Sequence, residues 1–271
     1  MSLPEPRSLF ALRPPENPFR LDGAVVLITG STRGIGLAMA QAFARAGARV
    51  AVSSEDPEDC ARVAADMAAE GFEVLAAPCD VADAGQLADL VDRVSEGLGP
   101  IDVLVCNAGV AGPVGPLGAV DDQTFDDTFA INLKHPWRLT SLVAPGMARR
   151  GGGAIVLTAS IAGLRGNKAI GLYGLTKAAL AQLARNLAVE WGPSGVRVNA
   201  LAPGLTATAW TAAVLSDPVA TERRLGLTPL RRVGQPWEIA AAAVFLASPA
   251  AGFITGHTLV ADGGTVISDG N

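Results

Sequence analysis

The chain is 271 residues long, 49% hydrophobic and only 17% charged, with a formal net charge of −5. That composition implies an extensive buried core in a single domain, excludes disorder of the body and offers no basic face to a nucleic acid backbone. The three cysteines, Cys60, Cys79 and Cys106, have no CxxC or Cys/His spacing, and only His135 and His257 supply imidazole, so no disulfide framework or metal site is expected and the compartment reads as reducing and cytoplasmic.

Residues 1–20 hold five prolines and three arginines without an apolar stretch of signal-peptide type. They read as an extended arm ahead of one domain spanning 21–271, a cleaved organelle transit peptide being the alternative. No run approaches the roughly 20 apolar residues of a membrane helix. From residue 24 onward, short β-branched runs alternate with amphipathic stretches, the pattern of βαβ units around a parallel sheet. Strands are predicted at 24–29, 49–53, 73–79, 103–107, 154–159, 197–202 and 258–261, and helices at 36–46, 57–70, 84–98, 123–148, 171–191 and 237–246. The expected fold class is therefore α/β: a doubly wound seven-stranded parallel sheet with helices on both faces, the Rossmann arrangement. Segment 206–236 breaks the pattern with Pro218, Pro229, Pro236 and Trp210. It reads as a lid over an active site, or else as a helical hairpin on the sheet edge.

Directly after the first predicted strand runs Thr29-Gly30-Ser31-Thr32-Arg33-Gly34-Ile35-Gly36, opening into a helix. Glycines there let backbone approach a pyrophosphate, and the helix start offers unpaired N–H donors with a partial positive charge. The spacing is not GxGxxG, and a tight turn alone also needs glycine. The second strand ends on Ser53-Ser54-Glu55-Asp56, where the adenosine ribose is normally read. A carboxylate about 5 Å from a 2′-phosphate costs roughly 3 kcal/mol at an effective dielectric near 20, which favours NAD over NADP; Arg33 pulls the other way. Asp80 and Val81 end the third strand, as an adenine contact or a helix cap. Asn107-Ala108-Gly109 end the fourth, where small residues let a flat cofactor lie on the backbone or simply form a turn.

Tyr173, the chain's single tyrosine, and Lys177 form an i, i+4 pair on one helix face. An ammonium about 4 Å from a phenol at that dielectric is worth roughly 4 kcal/mol, enough to bring the phenol into working range near neutrality. A tyrosine packed on a lysine stem is the structural alternative. Ser160 follows the fifth strand at the ligand-binding edge, where its hydroxyl can bond the substrate oxygen. Asn132 sits inside a predicted helix, where an amide is a poor helix former and wants a special reason.

Taken together, these residues make the chain similar to the short-chain dehydrogenase/reductase family over about 21–267. The resemblance rests on Thr29 to Gly36, Asp80, Asn107-Ala108-Gly109, Ile131-Asn132-Leu133, Ser160, Tyr173-x-x-x-Lys177, Pro203-Gly204 with Thr208, and the ending Phe253-Ile254-Thr255-Gly256 through Asp262-Gly263-Gly264. It implies a hydride transfer between NAD or NADP and an alcohol or ketone. Tyr173 is then the general acid/base and Lys177 lowers its pKa and holds the nicotinamide ribose. Ser160 orients the carbonyl, Asn132 keeps a relay water, and Pro203, Gly204 and Thr208 hold the nicotinamide amide. Phosphate-selecting members often carry a basic residue where this chain has Glu55, and homotetramers are common. An enoyl reductase, which usually has a longer gap between its Tyr and Lys, and a non-catalytic dinucleotide sensor are the competing readings. The expected pocket walls, 110–118, 161–172 and the segment after Pro203, are mostly small or apolar and suggest a neutral carbonyl compound, whereas Arg165 and Lys168 either steer an acid or face solvent.

Overall fold

The computed structural model describes residues 15–268; the first part of the expected arm, residues 1–14, lies outside them. Seven strands, β1 (Val25–Thr29), β2 (Arg49–Ser53), β3 (Val74–Ala76), β4 (Val103–Cys106), β5 (Gly153–Thr158), β6 (Val196–Pro203) and β7 (Thr258–Ala261), form one parallel sheet in the order β3-β2-β1-β4-β5-β6-β7. The helices are α1 (Gly34–Arg45), α2 (Pro57–Ala69), α3 (Ala84–Gly97), α4 (Asp122–Phe129), α5 (His135–Arg149), α6 (Gly171–Trp191), α7 (Ala212–Leu215), α8 (Pro218–Gly226) and α9 (Pro236–Ala247).

The central strands read as unbroken apolar runs because both sheet faces are covered. Along β1, Val25 and Leu27 join the core beneath α3, α5 and α6, while Val26 and Ile28 join the one beneath α1, α2 and α9. Each crossover returns the chain to the same sheet edge, so every strand's C-terminal end lies on one side. Strand order reverses at β1, which has β2 on one flank and β4 on the other, and a crevice opens at that switch point.

Two expectations need correction. The predicted strand 73–79 shortens to Val74–Ala76, although Ala77 and Cys79 still donate to the Val52 and Ser54 carbonyls; Pro78 lies between them on the edge strand, where an N–H would face away from β2 and proline is tolerated. The single helix predicted at 123–148 is α4 and α5 separated by a π-helical turn at Ala130–Lys134. Segment 206–236 forms a 3-10 turn at Ala209–Thr211 followed by α7 and α8, the latter capped by the Asp217 carboxylate.

Phe43 is fully buried on α1, in the core that α1 shares with α9. Phe43→Ala is expected to cost about 3–5 kcal/mol in chemical denaturation; a loss below about 1 kcal/mol would show that this layer does not carry the fold.

Candidate active site

The ends of β1 and β4 are laced together by side chains that belong to the turns themselves. The Asn107 amide donates to the Thr29 carbonyl at 3.1 Å and the Gly30 carbonyl at 2.9 Å, and the Thr29 hydroxyl accepts from the Asn107 and Ala108 N–H groups. Gly36 packs so closely that a Cβ there would collide with the Gly30 carbonyl and come within 2.5 Å of the Asn107 amide nitrogen. α1 starts without a side-chain cap, unlike α2 and α3, which Asp56 and Asp83 cap, and without an acid in its first turn. The first N–H groups of α1, at Gly34, Ile35 and Gly36, therefore have no side-chain cap and are the kind of helix-start donors that suit a pyrophosphate. Across the gap stands Thr208, whose methyl would lie 3.5 Å from a Cβ on Gly34. Such a cradle of bare backbone and donors fits a dinucleotide.

The remaining cofactor candidates divide into two groups. Ser31 is engaged with its neighbours: its hydroxyl donates to the Ile28 carbonyl and accepts from the Ser53 N–H, and its own N–H bonds the Ser53 carbonyl. Ser54 is buried, with its hydroxyl on the Asp56 carbonyl. Arg33 and Glu55 pair at 3.1 Å on the rim, both well exposed. Asp80 forms a turn by accepting from the Ala82 N–H, while the cap of α3 is Asp83, and Val81 packs against the core. Gly204 follows β6, donates to the Ala261 carbonyl and lies flat on Asp262.

At the mouth, α6 brings Tyr173 and Lys177 to one side. The Lys177 ammonium is 3% exposed, donates to the Thr158 carbonyl at 2.8 Å and stands 5.4 Å from the Tyr173 ring centre. Ser160 caps the 3-10 turn Ile161–Gly163, accepting from the Ala162 N–H, and its hydroxyl lies within hydrogen-bonding reach of the Tyr173 phenol. Trp210 meets the Tyr173 ring edge-on at 5.7 Å. Asn132, in the π turn, exchanges two 2.8 Å hydrogen bonds with the Val110 backbone and donates to the Thr176 hydroxyl, which itself donates to the Tyr173 carbonyl. The special reason for an amide at Asn132 is this clamp, and a π turn is a common way to aim a side chain at a functional site. Gly109 lies between: a Cβ there would stand 3.1 Å from the Asn132 oxygen and 3.4 Å from the Lys177 nitrogen.

Electrostatically the pair behaves differently from the sequence expectation. Burial pushes the Tyr173 phenol up to about 12, only partly opposed by the Ser160 hydroxyl beside it. Burial likewise pulls Lys177 down to about 8. Spacing placed an ammonium near a phenol, but desolvation of both outweighs their attraction in the chain alone. Sequence reasoning gave no role to Thr158, Thr176 or His135. The first two are ordinary threonines in sequence; the His135-Pro136 pair just after Asn132 was the one visible signal.

A parallel sheet with a dinucleotide cradle at its switch point and a Ser-Tyr-Lys set at the mouth defines a nicotinamide-dependent oxidoreductase. A family model described as enoyl-(acyl carrier protein) reductase matches residues 30–266. The chain is 39% identical over 246 residues to dehydrogenase/reductase SDR family member 4 of Bos taurus, covering 91% of this chain and 88% of that one. Its structure superposes with a TM-score of 0.89 on gluconate 5-dehydrogenase of Burkholderia cenocepacia solved with NADP and tartrate, at 35% identity over 93% of this chain and 98% of that one. With 7α-hydroxysteroid dehydrogenase bound to NADH and 7-oxo glycochenodeoxycholic acid the TM-score is 0.88, at 37% identity over 94% and 98%. The chain belongs to the short-chain dehydrogenase/reductase family. It is an NAD(P)-dependent dehydrogenase or reductase acting on an alcohol or ketone.

Because Tyr173 is the single tyrosine, tyrosinate absorbance reports it alone. Burial favours the protonated phenol, so the free protein is expected to show no tyrosinate signal below about pH 10; a titration centred near neutrality would overturn the order of the two groups.

Proposed function

We propose that Tyr173 is the general acid/base of this enzyme, Lys177 its electrostatic partner and ribose ligand, Ser160 the donor to the substrate oxygen, and Asn132 the group that holds a relay water. A bound nicotinamide supplies the hydride acceptor for oxidation and the donor for reduction. In oxidation the Tyr173 phenolate takes the substrate hydroxyl proton while the carbon-bound hydrogen leaves as hydride; in reduction the phenol returns that proton to the carbonyl oxygen. The observation that carries this reading is the shared pocket of Ser160, Tyr173 and buried Lys177 at the crevice mouth. A phenol that stays protonated at neutral pH is set to act first as an acid. The three-residue gap between Tyr173 and Lys177 speaks for carbonyl chemistry over enoyl reduction.

The cofactor is proposed to be held by Gly30, Arg33, Gly34, Ile35, Gly36, Asn107, Ala108, Gly109, Pro203, Gly204 and Thr208, with Ser31, Ser54, Asp80 and Val81 shaping the adenosine end. NAD is the preferred form: Glu55 occupies Arg33 and the Asp56 carboxylate stays fixed on the α2 N–H groups. Segment 206–236 acts as the lid, its Trp210 resting on Tyr173. A homo-oligomer is proposed because the free edge of β7 presents Val260, with Phe253 and Trp237 exposed nearby. The buried, unpaired cysteines fit a cytoplasmic setting.

A specific observation favours an acidic substrate over a neutral one. Burial, and next the neighbouring Arg165, pulls the Arg224 guanidinium below its usual range. Neither arginine has a carboxylate partner among the described residues. One is on the loop after Ser160 and the other on α8, so an anion on the substrate would relieve their repulsion.

Tyr173→Phe is expected to lower kcat at least about 100-fold with cofactor affinity unchanged; near-normal turnover would remove the mechanism. Replacing the acid at the rim, Glu55→Ala, should raise the ratio of kcat/KM for NADPH over NADH about 10-fold or more, and an unchanged ratio would refute the carboxylate's role. Hydroxy acids are expected to outperform their methyl esters in kcat/KM by about 10-fold, an advantage lost in Arg224→Ala; equal rates for acid and ester would restore the neutral substrate.

A further inference from the structure

His135 is 1% exposed and Thr29 fully buried. The His135 Nε2 is 3.1 Å from the Thr29 hydroxyl, and Nδ1 is 2.8 Å from the Ile131 carbonyl oxygen. The Thr29 hydroxyl already accepts two N–H groups, from Asn107 and Ala108. Its own proton therefore goes to a lone pair, and Nε2 offers one. That leaves the ring's proton on Nδ1, where it is donated to the Ile131 carbonyl. Burial first, with the Lys177 charge adding to it, pulls His135 down to about 4, so the ring is neutral and keeps one acceptor and one donor at neutral pH.

The Ile131 carbonyl has need of that donor. In a π turn each carbonyl is served by the N–H five residues on, and His135 N–H serves Ala130 in this way. The group due at Ile131 belongs to Pro136, which has no N–H. The His135 side chain stands in for the missing backbone donor, so that residue 131 is not left with a buried, unpaired carbonyl. The same proline denies the Asn132 carbonyl its four-on α-helical partner, which disfavours collapse of the turn into a regular helix.

We propose that His135 is a positioning residue: a neutral imidazole whose Nδ1–H holds the π turn that aims Asn132, and whose Nε2 holds Thr29 and through it the 107–109 loop. The inference rests on the assignment of Asn132, Tyr173 and Lys177 as the working set. It divides the ring's two nitrogens between two tasks, the Nδ1 side serving turnover and the Nε2 side serving cofactor binding.

Two conservative variants separate these tasks. In His135→Asn the amide nitrogen reaches the place of Nδ1; kcat is expected to stay within about 3-fold, while the NADH Kd measured by fluorescence rises about 5-fold or more. In His135→Gln the amide oxygen reaches the place of Nε2; the NADH Kd is expected to stay close to that of the parent, while kcat falls about 10-fold or more. Parallel changes in both variants that track only their melting temperatures would overturn the proposal, as would no change in either. Nitrogen-15 spectra of the unaltered protein test it without turnover: a neutral ring protonated on Nδ1 is expected from about pH 6 to 8, and a ring protonated on Nε2, or cationic at pH 7, would reject it even if both variants fail to fold. Absence of any dehydrogenase activity in the parent would instead strike at the proposed chemistry, leaving the Kd and spectroscopic arms standing.

Discussion

An ammonium carried into the protein interior governs this site. Lys177 is sealed from water, and its hydration is replaced by the Thr158 carbonyl at the end of β5 and by whatever enters the crevice. The cost of that burial appears as a lysine that gives up its proton at about 8, below the phenol beside it at about 12. The usual near-equality of the two groups is thus split with the proton favouring the phenol. Anything that restores charge or hydrogen bonding near Lys177 narrows the split, so the acidity of Tyr173 is tied to occupancy of the crevice.

The surroundings keep that space open. Gly109 leaves the approach to Lys177 and Asn132 without a side chain, Gly36 lets α1 sit directly on the Gly30 turn, and the Asn107 amide fixes the two strand ends against one another. These contacts are all between backbone and short polar groups, which hold their geometry with little rotamer freedom to lose. Thr29 and His135 continue the same construction underneath, linking the cofactor turn to the π turn. The groups proposed for nucleotide binding and for proton handling share one hydrogen-bonded frame.

Much of this was legible in the chain. Runs rich in Val, Ile, Leu and Ala marked six of the seven strands to within about one residue, because strands covered on both faces are mostly apolar, with Asn199 of β6 buried only by virtue of its hydrogen bonds to Ile254 and His257. β3 was overextended because an apolar run does not reveal where an edge strand's regular pairing stops, even though Ala77 and Cys79 still reach β2 carbonyls. The catalytic candidates were visible from their order along the sequence, yet the direction of the Tyr173 shift was not: spacing gives proximity, whereas desolvation depends on how α6 seats against β5 and on Trp210. The π turn was equally hidden, since one extra residue in a turn scarcely alters a 26-residue apolar pattern at 123–148. His135 looked like one of two isolated histidines until the carbonyl it serves was located.

The adenosine end shows how a preference can rest on the charge that cannot move. The Arg33–Glu55 pair is exposed on both sides, and such pairs contribute little and open readily. A 2′-phosphate arriving there would meet a freed guanidinium, and taken alone the pair would be close to neutral in its choice. Asp56 is different: its carboxylate accepts from the Glu58 and Asp59 N–H groups at the start of α2, and withdrawing it would uncap the helix. Glu58 and Asp59 in the same first turn add further negative charge. Two ribose hydroxyls suit such surroundings better than a dianion does, so the proposed preference for NAD is built into the capping of α2 as much as into Glu55.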